Sequence, residues 1–173
     1  MAKPIIGILG GGQLGMMLCD AAKKINIKTH VFCPDYDCPS KGRSTYFSVG
    51  DYTDEKEIIK FSNNVDYITY EFENIPIETI DLITDQKKIR PGKKSLLLTQ
   101  DRLTEKKFLD ELKVPIAPYK DLITIDDISS AQNEFIDSII KTRTLGYDGK
   151  GQFSLKDSDD PNEIFSKIVN NSI

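Results

Sequence analysis

The chain has 173 residues, 39% hydrophobic and 29% charged, with a formal net charge of −4; this suits one large domain or two small ones and leaves no basic footprint for nucleic acid. Lys87 through Lys113, the most basic stretch, alternates with Asp and Glu at helical spacing and reads as a solvated helical face. Cys19, Cys33, Cys38 and the single His30 form no C-x-x-C pair, which argues against a zinc site and a disulfide framework; with a start that fits neither signal peptide nor membrane span, the expected compartment is the cytoplasm.

In chain order, Pro4 to Leu9 is a short apolar run ended by Gly10-Gly11-Gly12, which predicts a buried parallel strand and a tight turn. From Gln13 to Lys24 a helix is expected, its core face assigned to Leu14, Met17, Leu18, Ala21 and Ile25. Lys28 to Cys33 is a second strand, completing a βαβ unit before the loop marked by Pro34, Asp35 and Pro39. Asp51 or Thr53 is placed as the cap of a helix reaching Phe61, Val65 to Tyr70 as a strand, Pro76 as the opening of a short helix, and Ile89-Arg90-Pro91 as a final strand. Such alternation predicts a parallel, doubly wound sheet.

An amphipathic helix is expected from Thr99 or Asp101 to about Leu112, and the domain boundary is set here: residues 1–100 as one domain, 101–114 as a connecting helix, 115–173 as a second, incomplete unit. That unit should hold a helix from Ile125 to Phe135, a strand from Ile136 to Thr142, a glycine turn, a strand from Gln152 to Lys156, and a helix after Pro161. Asp157, Asp159, Asp160 and Glu163 read as a loop and a helix cap.

Two motifs bear chemistry. Gly10 to Gly15 satisfies G-x-G-x-x-G between strand and helix, where backbone can approach a ligand and the helix N-terminus favours an anion; Asp35 lies 20 residues beyond Gly15, as a ribose-binding acid would in a nicotinamide enzyme. Lys141 ends a strand before Gly146, Tyr147, Asp148, Gly149, Lys150, Gly151 and Gln152, a glycine hairpin that can fold over a polyphosphate beside a fixed positive charge. No G-K-[ST] ending opens a helix, so it is not a Walker loop; the plain alternative is a turn between two strands.

The segments Gly11 to Met17, Tyr70-Glu71-Phe72-Glu73-Asn74-Ile75-Pro76, Asp101 to Lys106 and Lys141 to Gln152 resemble, in order and spacing, the 5-(carboxyamino)imidazole ribonucleotide synthase family of ATP-grasp ligases, over nearly the whole chain. The resemblance implies a Rossmann-like pre-ATP-grasp domain followed by a partial ATP-grasp subdomain of α+β type. It implies ATP-dependent carboxylation of 5-aminoimidazole ribonucleotide with bicarbonate, in a homodimeric cytoplasmic enzyme of purine biosynthesis. By the same resemblance, Arg102, Lys141 and Gly146 to Gln152 would bind ATP, while Gly12, Gln13, Leu14 and Glu73 would face the ribonucleotide, and Asp35 loses its cofactor role. Glu71 and Glu73 would share one side of an extended segment, one touching ligand and the other its neighbour.

Family members are about twice this length, as two to three ordinary domains require. The ligands for Mg2+ are therefore expected in the part that this chain lacks, with none in the chain itself, and the chain alone is expected to be inactive. Two other readings stay open: a nicotinamide-dependent oxidoreductase domain, which leaves Lys141 and the glycine hairpin unexplained, and a non-catalytic interaction module.

Overall fold

The apolar run before the glycines forms β1 (Ile5–Leu9). The computed structural model, which describes residues 3–146 and 149–170, continues with α1 (Gln13–Lys24), β2 (Lys28–Cys33), β3 (Tyr46–Val49), α2 (Glu55–Asn63), β4 (Tyr67–Tyr70), α3 (Ile77–Asp81) and α4 (Lys93–Thr99). After these come α5 (Arg102–Glu111), α6 (Ile125–Glu134), β5 (Asp137–Lys141), β6 (Gln152–Lys156) and α7 (Pro161–Asn170). The chain divides into two compact units, Met1–Leu97 and Leu98–Ile173.

In the first unit four parallel strands lie in the order β3-β2-β1-β4. Successive side chains leave a strand on opposite faces, so Ile8 and Val31 pack with Cys19, Cys33 and Cys38 on one face, while Leu9 and Phe32 join Ile58, Phe61 and Ile68 on the other. Gly7 permits this closeness, since a Cβ there would stand 2.7 Å from the Phe61 ring. Because β1 connects to β2 on one side and has β4 on the other, the strand order reverses at β1, and the crevice above the carboxyl ends of β1 and β4 is where open α/β sheets receive ligands.

The second unit is smaller. Its sheet is one antiparallel hairpin, β5 with β6, whose inward positions rest on a core of Ile128, Ala131, Leu155 and Ile164. Alternation along β5 leaves Asp137, Ile139 and Lys141 exposed. A capping box starts α6: the Thr124 hydroxyl accepts from the Asp127 amide, and the Asp127 carboxylate accepts from the Thr124 amide. Asp159 and Asp160 accept the amides of Lys156 and Asn162, as a loop and cap would.

The structure corrects several expectations. The face of α1 packed on the sheet is Gly15, Cys19 and Ala22, whereas Leu14, Met17, Leu18 and Ile25 are 57%, 60%, 41% and 61% exposed. Small residues let the helix approach closely, and hydrophobicity alone weights them too lightly to reveal it. The cap of α2 is Asp54, which accepts the Glu57 amide; Asp51 instead closes its own turn by accepting from the amide and hydroxyl of Thr53. Ile89 makes a single parallel bridge to Ile68 rather than a strand, because Pro91 has no N–H with which to continue a ladder. Strand β3 and helix α4 have no counterpart among the predicted elements.

Candidate functional site

At the crevice, the glycine loop is shaped by its own chain. Gly10 has φ +112°, and a Cβ there would collide with the Glu71 side chain. Gly12 caps α1 without a side chain, so the first amides of the helix need an outside acceptor. Glu71 supplies it: Oε1 accepts from the Gly12 amide at 2.6 Å and Oε2 accepts from the Gly15 amide. The anion position of the loop is thus held by an internal carboxylate, favoured there by the helix dipole. The Glu71 amide itself donates to Leu9 O, which fixes the residue over β1.

Ser40 staples the loop from the other side, its amide donating to Gly11 O at 3.0 Å and its hydroxyl to Gly12 O at 3.2 Å. The side chains of Gln13 and Leu14 are exposed on the first turn of α1, and Glu73 is half-buried. Since β4 ends at Tyr70, Glu71 and Glu73 do not share an extended strand, and the carboxylate at the glycine loop is Glu71. Its signal in the sequence was position: the first acid after the strand that neighbours β1. Asp35 is exposed and closes a turn by accepting the Asp37 amide.

The second cluster is built on β5, β6 and the start of α5. Lys141 and Gln152 are cross-strand partners, and Thr142 donates its amide to Gly151 O, closing the base of the hairpin. Gly149 and Gly151 take φ of +80° and +67°, conformations that suit glycine. Asp101 caps α5 by accepting the Thr104 amide, and it also receives the Arg143 guanidinium at 2.7 Å. Burial works against the charge on Asp101, but the Thr104 amide and Arg143 outweigh it and hold the carboxyl below its ordinary range. The Arg102 amide then donates to Arg143 O, and its guanidinium to Gly146 O at 2.6 Å.

Arg102, Lys141, Gly146, Gly149, Lys150, Gly151 and Gln152 consequently line one cleft of about 60 Å³. Tyr147 and Asp148, expected in the same hairpin, lie outside the described residues. The lining carries positive charge and backbone amides, as an anion requires, but the cleft is far below the roughly 300 Å³ at which ligand pockets begin. Arg143 was missed by the sequence reading; its cue was a basic residue just past a strand, matched by an acid at a helix cap. A larger open groove of about 400 Å³, lined by Ser129, Gln132, Asn133, Ile136 and Asp157, shares no residue with the cleft. Among the described residues, no group of three or more His, Cys, Asp or Glu is placed to hold a metal ion, and no helix is long and apolar enough to cross a membrane.

Residues 1–100 match the ribonucleotide synthetase preATP-grasp domain, and residues 107–172 match the ATP-grasp domain. The chain belongs to the ribonucleotide synthetase preATP-grasp family. This preATP-grasp chain is 38% identical over 164 residues to the N5-carboxyaminoimidazole ribonucleotide synthase of Staphylococcus epidermidis, covering 94% of its own length and 44% of the relative. It is 39% identical over 165 residues to the bifunctional purine synthesis protein purC/E of Dictyostelium discoideum, covering 95% of itself and 16% of that protein. Among solved structures it superimposes on N5-carboxyaminoimidazole synthetase from Staphylococcus aureus complexed with ADP with a TM-score of 0.86 at 36% identity, over 97% of this chain and 46% of that one. The N5-carboxyaminoimidazole ribonucleotide synthetase from Thermus thermophilus gives 0.80 at 29% identity, over 94% and 44%. The preATP-grasp chain therefore spans less than half the length of these synthases, and its fold is a preATP-grasp domain followed by part of an ATP-grasp domain.

Proposed function

We propose that this chain is part of an N5-carboxyaminoimidazole ribonucleotide synthase, which uses ATP to carboxylate 5-aminoimidazole ribonucleotide with bicarbonate in purine biosynthesis. The observation that carries the reading is the cleft in which Arg102, Lys141 and the glycine hairpin converge, within a segment matched to the ATP-grasp domain. A bicarbonate oxygen attacks the terminal phosphorus of ATP, giving carboxyphosphate and ADP. The amine of the ribonucleotide then takes the carboxyl group, phosphate leaves and the amine loses a proton. This chemistry needs a polyphosphate held still, its charge offset, and water kept from a hydrolysable intermediate.

Residues divide between those tasks. Lys141 on its strand offsets phosphate charge, Arg102 anchors the hairpin through Gly146, and Gly146 to Gln152 close over the nucleotide. Gly12, Gln13, Leu14 and Glu73 receive the ribonucleotide at the crevice, with Glu71 holding their loop in shape. Residues 1–100 then form the substrate-binding domain, 101–114 the connecting helix and 115–173 the nucleotide-binding part. By the resemblance to the synthase family, Mg2+ would be held by residues outside this chain, and no step here runs through it. The free cysteines fit a cytoplasmic setting, and a homodimer is the proposed assembly of the whole enzyme.

The oxidoreductase reading loses its main support, because Glu71 occupies the place where a dinucleotide pyrophosphate would sit. The test is phosphate release with ATP, Mg2+, bicarbonate and 5-aminoimidazole ribonucleotide, run on this chain and on one extended to the length of the staphylococcal synthases. The expected result is silence from the short chain and ribonucleotide-dependent release from the long one. Silence from both, or stabilisation by NADH but not by ATP, overturns the proposal.

A further inference from the structure

Behind the glycine loop lies a feature that the ligase chemistry does not use. Cys33 ends β2, Cys38 follows in the next loop, and both are 6% exposed. Their sulfurs meet over the same atom: a Cβ added at Gly11 would fall within 2.8 Å of both Sγ atoms. Both cysteines are free thiols. Ser40, two residues beyond Cys38, holds Gly11 O and Gly12 O, so a movement of Cys38 is passed to the loop through one short segment. Cys19 lies in the same apolar cluster but on α1, where it is 1% exposed.

We propose that Cys33 and Cys38 form a reversible dithiol–disulfide pair, and that closing the bond locks the glycine loop from behind. The oxidant class is a small disulfide such as oxidised glutathione. The Cys38 thiolate attacks one sulfur of glutathione disulfide, forming a mixed disulfide and releasing one glutathione thiolate, which takes up a proton. Cys33 loses its proton to water and attacks the Cys38 sulfur, expelling the second glutathione; two protein thiols have become one disulfide, and one glutathione disulfide has become two thiols. Burial and the neighbouring Cys38 raise the Cys33 thiol to about 11, which disfavours Cys33 as the attacking thiolate.

Only four residues separate the pair, so the bond closes a small ring and restrains Ser40 with it. The inference concerns the loop itself and holds whichever ligand the loop takes.

The chain is treated with oxidised glutathione, unfolded, alkylated and mapped by mass spectrometry, while the folded sample is followed by hydrogen exchange. The expected product has lost two hydrogens, links Cys33 to Cys38, leaves Cys19 alkylated and reverts with dithiothreitol. Exchange at the Gly12, Gly15 and Ser40 amides should slow by about tenfold, as for a local opening restrained by a cross-link. Cys38→Ala should show neither change. Failure to lose two hydrogens, mixed disulfides without an internal bond, or pairing that includes Cys19 would overturn the pair. An internal bond with unchanged exchange at Gly12 and Gly15 would overturn the coupling to the loop.

Discussion

Glu71 places a formal charge where the first turn of α1 has amides to give and no side-chain cap to receive them. Glu71→Gln keeps the shape but turns one acceptor into a donor facing an amide. A loss of about 1–3 kcal/mol in urea unfolding is expected, the cost of a half-buried donor left unsatisfied; an unchanged midpoint would mean that water serves the amide equally well. His30 offers a second test, because it is the only histidine in the chain. It is buried on β2, bonded to Ser48 Oγ at 2.8 Å and edge-on to Phe61, and burial holds its pKa below the ordinary 6.5. Above pH 6.5 neither folded nor unfolded chain protonates it, so nothing is lost. As pH falls through 6.5 the unfolded chain takes up a proton that the folded chain refuses, and stability declines. Between about pH 7.5 and about pH 5.5, His30→Gln should show a shallower fall in urea midpoint than the unsubstituted chain, and equal slopes would sink the assignment.

At the level of elements, the start of α5 ties the cleft residues together. Asp101 joins the helix cap to Arg143, and Arg143 O receives the amide of Arg102, so one carboxylate sets both the helix and the arginine beside the hairpin. Asp101→Ala should cost about 0.5–2 kcal/mol as a lost cap, with faster exchange at the Thr104 amide. Asp101→Asn should recover most of the cap but not the ion pair; an Asn variant as stable as the unsubstituted chain would show that Arg143 contributes nothing, and equal losses from the two changes would show that the cap contributes nothing. Helices with polar caps, and strands bounded by glycine or proline, were legible because local chemistry specifies them: α5, β5 and β6 lie within a residue or two of their expected ends. The buried face of α1 was not, since two stripes of near-equal period run along it and the tertiary fold chose the one with small side chains. Strand β3 has only four residues and borrows its definition from β2, so pairing rather than pattern creates it. Residues of the hairpin cleft could be gathered from their spacing, whereas Arg143 and Glu71 owe their places to partners 42 and 56 to 59 residues away.

For the whole molecule, the two units differ sharply in how much they bury. Among the described residues, eleven from Leu9 to Leu96 form the main core of the first unit, and Ile128, Ala131, Leu155 and Ile164 form that of the second. Two strands seldom stand alone without a packed layer on them, and Ile123, Ile136 and Ile139 are 71%, 85% and 62% exposed. The synthases that match this chain are more than twice as long, and their further residues are the cover we propose for that surface. The second unit should therefore open first. In native-state hydrogen exchange along a urea series, the amides of β5 and β6 should lose protection at denaturant concentrations where those of β1 and β4 still hold, because the free energy of opening follows the buried core beneath each sheet. Extending the chain to the length of the staphylococcal synthases should raise the protection of β5 and β6 while leaving β1 and β4 nearly unchanged. Coincident loss of protection in both sheets would mean that the small core is stabilised by something other than its own packing. A hairpin equally labile in the longer chain would mean instead that its looseness belongs to the hairpin itself, as the proposed nucleotide lid requires if ligand is to enter a cleft of about 60 Å³.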